Sequence, residues 1–143
     1  MKGQSFVLTH SLFIGFSITF VLVAIVTLNA LRDDYQEFIV KNEMKEVCLT
    51  IKMAVEKIYF IPSYTPMTNT TVGKIRISFP DRLADLQYRI NFSGGAAKLD
   101  AVKFNETCVI GFNNTIGYTT GGETEIIVRV YSNETRVIEM IKI

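Results

Sequence analysis

Apolar residues fill the start of the chain without a period and then settle into two successive rhythms. Between Lys2 and Arg32 no position carries a formal charge, and from Leu12 to Leu28 nothing is more polar than Ser or Thr. A helix needs roughly 20 apolar residues, at about 1.5 Å each, to cross a hydrocarbon core about 30 Å thick. The block meets that length. It is longer than the roughly 7–15 residues of a secretory h-region. A membrane-spanning helix is therefore expected here, apolar on every side.

From Val40 onward the apolar positions fall into steps of four and three: Val40, Met44, Val47, Ile51, Val55 and Ile58. That spacing marks one face of an amphipathic helix, with Lys41, Glu43, Lys45, Glu46, Lys52, Glu56 and Lys57 on its other sides. Neither Pro nor Gly interrupts residues 31–61, and Pro62 ends the pattern. One helix from about Phe6 to about Tyr59 is predicted, and its stripe needs a partner surface.

After Pro62 the rhythm changes to period two. Residues 74–79 alternate and end at Pro80, and 87–92 run into the Gly94-Gly95 turn. Further strands are predicted at 98–104, 108–112, 125–131 and 136–143, the last two joined as a hairpin through a four-residue loop. Five or six antiparallel strands should form a small β-sheet or β-sandwich that covers the helix stripe. The expected fold class is α+β, a long N-terminal hydrophobic helix followed by an antiparallel β domain.

Composition narrows the chemistry. The 143 residues carry a net charge of +1, which gives no reason to expect nucleic-acid binding. A single His and no Trp exclude sites built from several imidazoles. That residue, His10, lies in the apolar block. It reads either as a group satisfied by water at headgroup depth or as a hydrogen-bonding partner inside an assembly. No nucleophile–base arrangement, metal cluster or phosphate loop is evident, so neither an enzyme nor a cofactor is expected. Cys48 and Cys108 form no CxxC pair. In an oxidising compartment they could close one disulfide; otherwise they are two separate buried thiols.

Five Asn-x-Ser/Thr triplets begin at Asn69, Asn91, Asn105, Asn113 and Asn133, all after residue 68. They point to N-glycosylation of an exported surface, against the plainer alternative that Asn, Ser and Thr simply form turns. Asn91 sits closest to a predicted strand.

The opening Met1-Lys2-Gly3-Gln4-Ser5-Phe6, followed at once by a long apolar helix, resembles the precursors of archaeal type IV pilin-like proteins with class III-type signals. The resemblance implies cleavage by a prepilin peptidase between Gly3 and Gln4, insertion in the membrane, and later self-association through the N-terminal helix. Leu8, Thr9 and His10 stand where that signal class carries an acidic residue. The implied organisation is a leader at 1–3, a membrane and filament-core helix at 4–31, an amphipathic extension at 32–61 and an extracellular β-rich domain at 62–143. The function implied is a structural subunit of a cell-surface filament. A single-copy anchored ectodomain that binds an envelope or S-layer component is the alternative.

Overall fold

The computed structural model describes residues 2–60, 70–131 and 135–143, with 2–7 described by backbone alone. Its elements are one helix, α1 (Lys2–Tyr59), and seven strands: β1 (Thr70–Phe79), β2 (Tyr88–Ser93), β3 (Ala96–Ala101), β4 (Phe104–Val109), β5 (Thr115–Thr119), β6 (Gly122–Val130) and β7 (Arg136–Lys142). The fold class is α+β, as the hydropathy pattern predicts. The chain divides into two compact units, Met1–Phe38 and Ile39–Ile143.

In the first unit the helix carries its large apolar side chains in the open. Phe13, Phe16 and Phe20 are each at least 70% exposed. Polar side chains in this segment turn inward to their own backbone. Ser17 Oγ donates to the Phe13 carbonyl at 2.8 Å, and Thr19 and Thr27 bond the carbonyls of Gly15 and Val23 in the same way. A hydroxyl satisfied four residues back is tolerated in an apolar helix because it leaves no donor in search of water.

In the second unit the remainder of α1 lies on one face of the sheet. All six stripe positions are buried: Val40, Met44, Ile51 and Val55 fully, Val47 and Ile58 nearly so. Opposite them, β2 contributes Ile90 and Phe92, β3 contributes Leu99, β6 contributes Ile126 and Val128, and β7 contributes Ile138 and Met140. Burying an aliphatic or aromatic side chain of this size stabilises by about 1.5–3 kcal/mol. This shared core fixes which side of the amphipathic segment faces the sheet.

The helix ends where its last carbonyls find a cation. An Arg136 guanidinium N–H donates to the Tyr59 carbonyl, and the same group lies 5.3 Å from the centre of the Tyr59 ring. A positive charge at a helix C-terminus meets both the unpaired carbonyls and the dipole.

The strands form a single sheet in the order β1-β6-β7-β5-β2-β3-β4. Seven strands replace the five or six expected. The expected run 98–104 ends early, at Ala101 in β3, because Val102 and Lys103 turn the chain between the paired residues Ala101 and Phe104. The expected run 108–112 contributes only Cys108 and Val109 to β4, and residues 110–112 lie outside any strand. Residues 115–119, which carry Gly117, form the additional β5.

One pairing also departs from the antiparallel expectation. The last strand, β7, inserts between β6 and β5, antiparallel to β6 and parallel to β5. It joins the pair β1–β6 to the four strands β5, β2, β3 and β4. Gly117 makes that join geometrically possible. Its φ is +124°, and a Cβ at this position would run into the carbonyl of Met140.

Candidate functional site

Two features of the chain point to function: the apolar half of α1 and the surface that the sheet turns away from the helix. Among the described residues, one helix is long and apolar enough to cross a membrane. Residues 8–31 would span about 36 Å at about 1.5 Å per residue, somewhat more than a hydrocarbon core about 30 Å thick. Large apolar side chains are exposed around the whole circumference, among them Leu12, Ile18, Val21, Val26 and Leu31. So uniform a surface has no polar side to present to water, which suits lipid or other apolar helices on every side.

The Gly3-Gln4 bond lies in the first turns of α1. His10 follows on the exposed surface of the same helix.

The structure brings Cys48 and Cys108 together as a disulfide with Cα atoms 5.7 Å apart. It ties α1 to β4, the strand at one edge of the sheet. Cys48 sits one residue beyond the stripe position Val47 and is partly buried, while Cys108 is buried on the inner side of β4.

The sequons separate by environment. Asn105, on β4, and Asn113, in the connection between β4 and β5, are exposed. Asn91 is different. It is half-buried on the central strand β2, and its Nδ2 donates to Asp100 Oδ2 at 3.4 Å. Asn69 and Asn133 lie outside the described residues.

Charged groups elsewhere in the second unit are paired across strands. Glu125 on β6 accepts from Lys74 at 2.7 Å and from Arg76 at 3.1 Å, both on β1. The bond from Lys74 leads the effects that hold its carboxyl below the usual carboxylate range, with Arg76 adding to it. Arg129 pairs with Glu139 at 3.0 Å between β6 and β7. Tyr88, buried at the start of β2, donates its hydroxyl to the Pro80 carbonyl at 2.7 Å. Burial, helped by nearby Asp81, pushes its phenol up to about 12.

A second contact fixes the loop between β1 and β2 to the helix. The backbone N–H of Ala84 donates to Glu43 Oε2 at 2.7 Å. Glu43 reads in the sequence as one of several solvated helix charges, and its partner is a main-chain group that no side-chain pattern announces. The outer face of the sheet is likewise absent from the sequence expectation. There Arg89, Asn91 and Asp100 line a shallow hollow near the exposed Tyr118. These lining residues come from β2 and β3, Tyr118 comes from β5, and together they form no linear motif.

Among the described residues, no group of three or more His, Cys, Asp and Glu side chains is placed to hold a metal ion. No protein-family model matches the chain, and no curated protein or solved structure matches it either.

Proposed function

We propose that the chain is a structural subunit of an archaeal type IV pilus-like surface filament, with hydrophobic helices in the core and a glycosylated β domain outside. The observation that carries this reading is the character of α1. It is one uninterrupted helix whose apolar residues are exposed all round up to Leu31 and buried on one side from Val40 onward. A simple anchor requires only the first property. In a filament the same helix serves twice, first in lipid and then against the helices of sister subunits, where burial is worth about 25 cal/mol per Å².

The opening Lys2-Gly3-Gln4 supports cleavage at Gly3-Gln4 by a prepilin peptidase. Exposed sequons at Asn105 and Asn113 support glycosylation of the outside, and the Cys48–Cys108 disulfide fits an oxidising compartment. A specific observation favours the second reading, a single anchored ectodomain bound to an envelope or S-layer component. Leu8, Thr9 and His10 occupy the positions where the filament signal carries an acidic residue.

The two readings separate at the N-terminus and under the microscope. Peptide mass spectrometry on surface material should find a chain that begins at Gln4, and an antibody to residues 70–143 should decorate sheared fibres. An intact Met1 in the membrane fraction, with label confined to the envelope, would establish the anchored ectodomain. A chain purified as a soluble monomer without detergent, its apolar helix still attached, would defeat both.

A further inference from the structure

The sheet has two unlike faces. Along β2, Tyr88, Ile90 and Phe92 are buried, while Arg89, Asn91 and Ser93 alternate with them on the other face. On the neighbouring β5, Ile116 and Tyr118 project from that same outer face and are 50% and 62% exposed. The register sets Asn91 opposite Tyr118 on one side and opposite Lys98 on the other, with Arg89 opposite Asp100. A hollow of about 820 Å³ opens beside them, lined in part by Asp81, Arg82, Arg89, Asn91, Asp100 and Thr120. The Arg89 guanidinium lies 6.0 Å from the centre of the Tyr118 ring, at the limit of cation–π range.

The chemistry of this hollow is mixed in a particular way. Two guanidinium groups face two carboxylates, so neither an anion such as phosphate nor a bare cation is favoured. The carboxylate accepts, the guanidinium donates, and the carboxamide does both, all through planar groups that can span neighbouring hydroxyls. Tyr118 adds an exposed aromatic ring, against which an apolar C–H face can pack. The ligand that offers neighbouring hydroxyls on its rim, an apolar face and no net charge is a sugar ring. The hollow is shallow and open, which suits a unit of a chain rather than a small molecule enclosed on all sides.

We propose that the outer face of the sheet binds a neutral saccharide, with Tyr118 as the stacking surface and Arg89, Asn91 and Asp100 as hydrogen-bonding groups. This goes beyond the filament reading and does not depend on it. The sugar has two conceivable sources that share this chemistry. One is a glycan on Asn91 itself, since Asn91-Phe92-Ser93 is a sequon. The other is an oligosaccharide of another surface. The Asn91 amide already donates to Asp100 at 3.4 Å, so a glycan there would have to displace that contact.

Ser93→Ala removes the sequon and leaves Asn91 in place. The full-length S93A chain, held in nanodiscs, would be titrated with maltohexaose, cellohexaose and mannotetraose, and contact read by saturation-transfer NMR. At least one should bind, and Tyr118→Ala or Asp100→Asn in that background should weaken it about tenfold or more. Lys74→Ala, on the far strand β1, should leave it unchanged. Far-UV circular dichroism of each variant guards against loss of fold. Wild-type chain from a glycosylating host decides the source: a sugar on Asn91 with free oligosaccharides excluded identifies the chain's own glycan, and an unmodified Asn91 with free binding identifies an external one. No binding by S93A to any of the three, or binding that survives both Y118A and D100N, overturns the proposal.

Discussion

Cys48 on α1 and Cys108 on β4 are covalently joined, so the helix is bound to the edge of the sheet and not only packed on its centre. The bond closes a loop between residues 60 apart in sequence. In the chain-entropy account, a cross-link of that span lowers the entropy of the unfolded chain by an amount worth about 4 kcal/mol. Cys48→Ser with Cys108→Ser should therefore lower unfolding stability by up to about 4 kcal/mol. Denaturation of the oxidised wild type, the reduced wild type and the double variant provides the check. Equal midpoints in all three would show that the bond contributes nothing.

Gly117 should be among the least replaceable residues of the sheet. Its backbone is left-handed, and the space where a Cβ would stand is taken by the Met140 carbonyl across the only parallel pairing among the described strands. Gly117→Ala must either shift β7 or break that ladder, at a cost of at least about 2 kcal/mol. Ile116→Ala, one residue away at a position 50% exposed, should cost much less. Comparable losses for the two in urea unfolding would refute the steric argument.

The same residue explains part of what the sequence conceals. The six stripe positions of α1 are legible because a 3.6-residue period over five turns is a strong local signal, and every one of them is buried. Strand β5 is not legible. It has five residues, a central glycine and a sequon at its entry, all of which suggest a turn when read locally. Val102 misleads in the opposite sense. It extends an apolar run, yet it sits in the β3–β4 turn and is 79% exposed. The parallel β5–β7 pairing depends on which distant strands meet, and neighbouring residues carry no record of that. The hollow beside Tyr118 is hidden for the same reason, since β2, β3 and the connection between β1 and β2 each supply only part of it.

The ion pairs of Glu125 should make stability fall in acid. Its carboxyl titrates below its ordinary value in the folded chain, chiefly through the bond from Lys74. The unfolded chain therefore takes up the proton first as pH falls. The contribution is complete above the unfolded carboxylate range and disappears as pH drops through the lower folded value. Glu125→Gln should cost more stability at pH 7 than at pH 3. A variant that shifts both midpoints equally would place the role of Glu125 in packing alone.

Tyr88 predicts the alkaline limb with the opposite sense. Its phenol moves from 10.0 to about 12, so the unfolded chain loses the proton first as pH rises. The contribution of the neutral phenol is full below about pH 10 and declines toward pH 12. Tyr88→Phe should flatten that decline while losing the hydrogen bond to the Pro80 carbonyl, worth about 1 kcal/mol at neutral pH. An alkaline limb unchanged in the Phe variant would assign the loss of stability to other groups.

The Leu83–Leu86 turn supplies a prediction of gain. The N–H of Leu83 donates to the Leu86 carbonyl at 2.9 Å and the reverse bond is 2.8 Å, closing a two-residue hairpin. Its central residues, Ala84 and Asp85, both have positive φ, 44° and 67°. Turns of this hand favour Asn-Gly, because a Cβ in the left-handed region costs about 1–2 kcal/mol. The chain holds the strained pair in place by burying Leu83 and by bonding the Ala84 N–H to Glu43. Relief of the strain should then register as stability. Ala84→Asn with Asp85→Gly keeps both N–H groups and should stabilise by about 1 kcal/mol. Glu43→Gln should destabilise, since a charge-assisted bond becomes a neutral one. Its cost should shrink in the Asn-Gly background, where the turn holds its shape unaided. A double-mutant cycle measures that coupling. Purely additive effects would mean that Glu43 and the turn act separately, and that the bond at Ala84 does not hold the turn in its strained form.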